Sequence, residues 1–201
     1  MSSAPQSASG SFNLRHSNAF EALIHLYLYR SDVSRALIRF QSIWPRYEKS
    51  MLLRIRMTRI DLLEMRARCA LAMAEKPGEP GVHLRQASDD AVRLEKEGHK
   101  WASAHALYIR SGIAACSEDP VRAVEHLLKS AACYEEAQMP LRAQLLRYRL
   151  GEIHGGPDSR AQHDRAEQWI KGQGIVAPAR WAGMYAPGYA KISGESVETT
   201  F

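Results

Sequence analysis

Leu150-Gly151-Glu152-Ile153-His154-Gly155-Gly156, followed by Gln173-Gly174-Ile175, Pro178-Ala179-Arg180-Trp181 and Ala186-Pro187-Gly188-Tyr189, closes a long run of apolar stripes at helical spacing. Upstream of it no strand-like alternation is sustained, and from Asn18 to about Trp169 the chain reads as helices in pairs. A helix pair alone leaves one apolar side open until a neighbour covers it, so three or four pairs stack into one unit. The expectation is an all-α helical repeat array of about four antiparallel pairs, with a broad curved face left for partners.

The stripes can be followed one by one. Phe20, Leu23, Ile24, Tyr27 and Leu28 mark a first helix, for which Asn18 and Glu21 form a capping box. Ser31-Asp32 caps a second, striped by Val33, Ala36, Leu37, Phe40 and Trp44 and expected to end at Pro45, whose ring removes a donor and clashes backwards. A third runs from about Ser50 to Glu75, with small residues in its second half. Lys76-Pro77-Gly78-Glu79-Pro80-Gly81 is a breaker cluster and a candidate elbow before a helix from Val82 to Glu97. Gly98 is placed to end that helix in the left-handed region. Lys100 to Cys116 follows, then helices opened by Asp119-Pro120 and Met139-Pro140, the last stopped by Gly155-Gly156. A shift of about forty residues lays Leu94-Glu95-Lys96-Glu97 on Tyr134-Glu135-Glu136-Ala137, which is helix-pair spacing.

Composition sets outer bounds. The 201 residues are 45% hydrophobic, enough to bury about two-thirds of the surface that the unfolded chain exposes. Cys69, Cys116 and Cys133 are an odd set without metal or redox spacing, each inside an apolar stretch, which fits core thiols in a reducing compartment. No run of eighteen apolar residues and no secretory leader is present, so a cytoplasmic location without a membrane span is expected. Residues 1–13 and 190–201 are polar and read as disordered, leaving 14–189 as the repeat domain.

The net charge of +5 is concentrated locally, with seven cations against three acids between Arg46 and Arg68. Arg54, Arg56 and Arg59 are candidate partner-binding residues there. Nucleic acid is disfavoured as that partner, because no aromatics interleave to stack bases. Trp181, Tyr185 and Tyr189 recur every four residues. They read either as a capping segment folded over the last helix pair or as an exposed docking stripe of aromatic anchors.

Catalytic and cofactor readings fail on spacing. Gly172-Gln173-Gly174-Ile175-Val176-Ala177 matches a dinucleotide fingerprint only formally, since it follows a helix where the mechanism needs a strand. His99 with His105, or His126 with Cys116 and Cys133, fit no zinc pattern. Cys133 and His126 lie two helical turns apart, about 10 Å, too far for a nucleophile and its base. Glu135 and Glu136 point apart. No cofactor, no metal and no enzymatic activity are expected.

Leu28-Tyr29-Arg30-Ser31-Asp32, Trp44-Pro45, Ser50-Met51-Leu52-Leu53-Arg54, Arg66-Ala67-Arg68-Cys69-Ala70-Leu71-Ala72 and the closing tail resemble one bacterial class. It is the C-terminal tetratricopeptide-like region of multidomain serine/threonine protein kinases coupled to a STAND/AAA-type signal-transduction ATPase, abundant in myxobacteria. The resemblance spans roughly Leu14 to Tyr189. Its most specific part is the ending, where Trp169 precedes Gly174-Ile175 and then Pro178, Arg180, Met184, Pro187 and Gly188. It implies a tetratricopeptide-like right-handed solenoid with an aromatic C-terminal cap, serving as a non-catalytic scaffold that binds protein partners and regulates a kinase/ATPase engine in cis or in trans. A small-effector-sensing array is the alternative, and nucleic-acid binding through 46–68 a second. The phosphate loop, the His-Arg-Asp loop and Asp-Phe-Gly are absent from this sequence, so no catalytic role is carried onto any residue.

Overall fold

The computed structural model describes residues 13–153 and 157–192. The Gly155-Gly156 stop and the segments 1–12 and 193–201 lie outside those residues. Every regular element described is helical: α1 Leu14–Tyr29, α2 Val33–Lys49, a 3-10 turn Leu52–Arg54, α3 Arg56–Ala74, α4 Pro80–Glu95, α5 Lys100–Cys116, α6 Pro120–Glu136, α7 Pro140–Ile153, α8 Pro157–Gly172 and α9 Pro178–Tyr185. Each helix from α1 to α8 packs on the next, and α3 also touches α1 and α5, so the odd-numbered helices share an inner layer.

Three links have one backbone plan. Ser31, Glu118 and Gln138 adopt φ of 58°, 59° and 57°, and Gly98 adopts 68° in the corresponding place. Behind the three non-glycine positions the next amide donates to a carbonyl five residues back: Asp32 to Tyr27, Asp119 to Ala114 and Met139 to Tyr134, each at 2.9 Å. That closure reverses the chain in three residues. Gly98, Glu118 and Gln138 recur at twenty-residue intervals, one helix plus its link, which gives the forty-residue pair spacing a structural basis. A left-handed backbone costs an L-residue free energy that glycine does not spend. Gln138→Gly is therefore expected to raise the urea midpoint by the equivalent of about 0.5–1 kcal/mol at unchanged slope. A lowered midpoint would contradict this account of the turn.

α4 runs from Pro80 to Glu95, where Val82 to Glu97 is expected. Three other boundaries differ more from the sequence expectation. α1 begins four residues before Asn18: the Asn13 side chain accepts from the amides of Arg15 and His16, and His16 Nδ1 receives the Asn13 amide. Glu21 instead accepts from the buried Ser17 hydroxyl at 3.1 Å, so it does not reach back to a backbone amide. α2 does not end at Pro45 but continues to Lys49. Tyr47, beyond the proline, is fully buried, and its hydroxyl donates to Ser17 Oγ at 3.0 Å. Phe40, Trp44 and Tyr47 form an aromatic run with Phe20. Burying it offsets the roughly 3 kcal/mol an interior proline costs. The helix expected from Ser50 begins only at Arg56: Ser50 Oγ donates to Tyr47 O and accepts the Leu52 amide, which ends α2 and starts the 3-10 turn.

Although 76–81 is read above as a candidate elbow, its last two residues, Pro80 and Gly81, open α4, and α3 and α4 pack closely. Arg66 clasps Asp90 through Nε and Nη2, at 2.9 and 2.5 Å, while stacking on Trp44. Ala87, Ala91 and Leu94 of α4 are fully buried against α3 and α5. Gly151 of α7 lets α8 approach so closely that an added Cβ would overlap the His163 side chain.

The core divides into three clusters. One joins α1, α2, the 3-10 turn and α3; the largest joins α3 to α7; the third joins α7 and α8. The C-terminal segment belongs to all three. Met184 enters the first, Ala186, Tyr189 and Ile192 the second, and Ala182 the third. The packed chain thus extends past Tyr189 to Ile192, and the segment is more than a cover for the last pair. α9 lies against α1 and α7, and the residues after it rest on α5.

Candidate functional site

α3 is buried on nearly every side, so its charged residues must find partners inside the protein. Asp61, Glu64 and Arg68 fall at spacings of three and four, which sets them on one face toward α1, α5, α7 and α9. Glu64 Oε1 accepts from the Tyr108 hydroxyl at 2.6 Å and from Arg142 Nη1 at 3.1 Å. Arg68 Nε stands 3.1 Å from the same oxygen, close enough for charge attraction but not aligned as a hydrogen bond. Arg68 also donates to Met184 O at 3.2 Å and shares a 2.9 Å hydrogen bond with His25 Nε2. Arg142 lies 4.0 Å from the Tyr185 ring centre.

This arrangement explains the acid–base behaviour. Burial alone would raise the Glu64 carboxyl, but the Arg68 and Arg142 guanidiniums overcome it and hold it at about 2. Asp61, partly buried and facing Glu64 and Glu21, is pushed up to about 6. Burial first, and then the Arg68 charge, lowers His25 to about 4. His105, fully enclosed and hydrogen-bonded to the Tyr134 hydroxyl, is lowered to about 3, mainly by burial and against the pull of Glu64.

A pH dependence follows. Between pH 6.5 and about 3 the unfolded chain takes up a proton at His105 that the folded chain refuses. Stability from this group is therefore present above 6.5 and declines as pH falls, by up to about 1.4 kcal/mol per pH unit. His105→Gln removes that slope. The stability difference between wild type and variant is expected to shift steadily against wild type from pH 6.5 to 4 in parallel urea titrations, and two parallel curves would refute it.

The arginine-lined inner layer holds the C-terminal segment by its main chain. Besides the Arg68 bond to Met184 O, Arg149 Nε donates to Ala186 O at 3.0 Å and Cys116 Sγ to Gly188 O at 3.3 Å. Gly188, at φ 112°, crosses directly over Gly112, where a Cβ on either residue would stand about 3.0 Å from the other strand of backbone. The broad inner face expected to be open is therefore filled by the chain itself.

The aromatic tail residues are divided accordingly. Trp181 and Tyr185 are half-buried on α9, Tyr185 among Arg68, Arg142 and His25. Tyr189 lies beyond the helix, fully buried, with its hydroxyl donating to Ser111 Oγ at 2.9 Å. The basic run divides as well. Arg59 grips Glu97 with two bonds of 2.6 Å and donates to Leu53 O. Arg56 is exposed and shares a 2.7 Å hydrogen bond with His99, while Arg54 is exposed on the 3-10 turn.

Cys69 and Cys116 are buried free thiols, both raised to about 12 chiefly by burial, and Cys133 is half-buried. Gly174, at φ 82°, follows the end of α8, as a helix C-terminus requires. Among the described residues no group of three or more His, Cys, Asp or Glu is placed to hold a metal ion, and no helix is long and apolar enough to cross a membrane. Comparison with known proteins finds no matching family model, no matching curated protein and no matching solved structure.

Proposed function

We propose that the chain is a protein-binding scaffold: a tetratricopeptide-like, right-handed array of helix pairs that works beside a kinase or ATPase engine, as the arrays it resembles in sequence do. The observation that carries this reading is that the inner layer holds a protein segment, residues 178–192 of the chain itself, through backbone carbonyls and aromatic rings. Because that layer is already filled, partners use the surfaces that remain. The polar and aromatic cluster beneath α9 does not favour a sensed effector, since its carboxylate and guanidiniums are ion-paired with one another and α9 covers them. Affinity purification of the tagged chain from its native cells, with mass spectrometry at low and moderate salt, tests the proposal. A defined protein recovered at both salts is expected. Recovery of nucleic acid alone, lost as salt rises, or of nothing, would overturn it.

A further inference from the structure

One end of the molecule carries apolar side chains that no other described residue covers. Leu14 at the start of α1, Met51 before the 3-10 turn and Ile55 after it are 51%, 62% and 48% exposed, and neighbouring Met57 is 64% exposed. Leu14, Met51 and Ile55 line an open cleft of about 620 Å³ between the start of α1, the end of α2 and the turn, with the buried Leu52 at its floor. Arg46 and Lys49, from the last turn of α2, stand on its edge. Arg54 is exposed on the turn itself. The one acid within this stretch, Glu48, accepts from Trp44 Nε1 at 2.7 Å. The cleft is apolar inside, with Arg46 and Lys49 among its lining and Arg54 on the adjoining turn.

We propose that this cleft is the scaffold's docking site for an acidic amphipathic helix of a partner protein, a surface that rests on the scaffold reading above. A helix laid in a groove offers apolar anchors on one face, which Leu14, Met51 and Ile55 receive. Methionine suits such a site because its unbranched, polarisable side chain repacks around different anchors. Carboxylates flanking the anchors meet Lys49 and, on the adjoining turn, Arg54, while the aliphatic stems of Arg46 and Lys49 extend the apolar wall. Nucleic acid fits less well, since among the described residues no aromatic side chain lines the cleft to stack a base. A bilayer fits less well too, because the apolar groups line a recess instead of crowning a projection.

The probe is a fluorescein-labelled synthetic helix of about five turns, with leucine along one face and glutamate elsewhere. Titrated with the full chain and read by anisotropy, it is expected to bind saturably, and a matching helix with lysine in place of glutamate is not. Two double variants, Met51→Glu with Ile55→Glu and Lys49→Glu with Arg54→Glu, alter only exposed side chains and are expected to keep the wild-type helix content. Each is expected to weaken binding about tenfold or more. Equal binding by the variants, or none by wild type, overturns the proposal. Variant-sensitive binding to phosphatidylserine-containing vesicles without peptide binding replaces it with a membrane surface. Peptide binding gained only when residues 1–12 are deleted assigns the cleft to the chain's own start. Should the cellular pull-down recover a partner equally with wild type and both variants, the scaffold reading stands and this surface falls.

Discussion

Replacing Glu64 with leucine is expected to destabilise the protein by about 3–5 kcal/mol, the range for removing one member of a buried ionic group. Glu64 is 2% exposed and serves three groups through one oxygen: the Tyr108 hydroxyl, Arg142 and Arg68. Leucine leaves two guanidiniums facing each other without a counter-charge and a phenol without its acceptor. A loss of that size is a large share of the 5–15 kcal/mol by which domains are stable. It would appear as a sharply lowered urea midpoint or as insoluble protein. A change under about 1 kcal/mol would mean that water reaches the cluster and screens it.

The sign of the Glu64 contribution also fixes its pH window. With the folded carboxyl near 2, its stabilisation is complete above the ordinary carboxyl value of 4.5 and is lost as pH falls from there toward 2. The variant loses that slope. Removing all three charges, as Glu64→Leu with Arg68→Met and Arg142→Leu, is expected to recover much of the single-variant loss, because it leaves no ion uncompensated. Recovery stays incomplete, since Arg68 also satisfies Met184 O and Arg142 stacks on Tyr185.

Local signals and long-range ones differ in how far the sequence discloses them. Gly98, Asp119-Pro120 and Met139-Pro140 act within one turn of the backbone they shape, and α5, α6 and α7 begin where those residues place them. Pro45 is also a local signal, yet the outcome there is set by what Tyr47 buries against, thirty residues away at Ser17. The buried charges were half legible. Asp61, Glu64 and Arg68 sit on one face of a helix apolar on its other sides, which marks them as interior, but Arg142 is supplied from 78 residues downstream. Arg68 adds to the cation count between Arg46 and Arg68, yet net charge ignores which side of the helix a residue occupies. The path of the tail was least legible. Its aromatic spacing of four suggests one helical stripe, whereas α9 stops at Tyr185 and Gly188 turns Tyr189 into a different cluster.

Tyr189→Ala separates the two readings of that tail. As a core residue, Tyr189 fills space between α5 and α7, donates to Ser111 Oγ and lies 5.7 Å beneath the Arg149 guanidinium. Deleting its ring leaves a cavity in the largest cluster and is expected to cost about 3–5 kcal/mol, the range for large aromatic truncations. Tyr189→Phe keeps the ring and loses only the hydrogen bond, for an expected cost near 1 kcal/mol. The pair of variants therefore reports on packing and on the hydroxyl separately, in the same urea titration. As a docking anchor the residue would behave in the opposite way: alanine would leave the midpoint within about 0.5 kcal/mol of wild type, as surface changes do, and would instead weaken partner capture. A large stability loss with the phenylalanine variant close to wild type would assign Tyr189 to holding the inner layer closed. Partners would then be confined to the outer surfaces and to the cationic cleft at the α1 end.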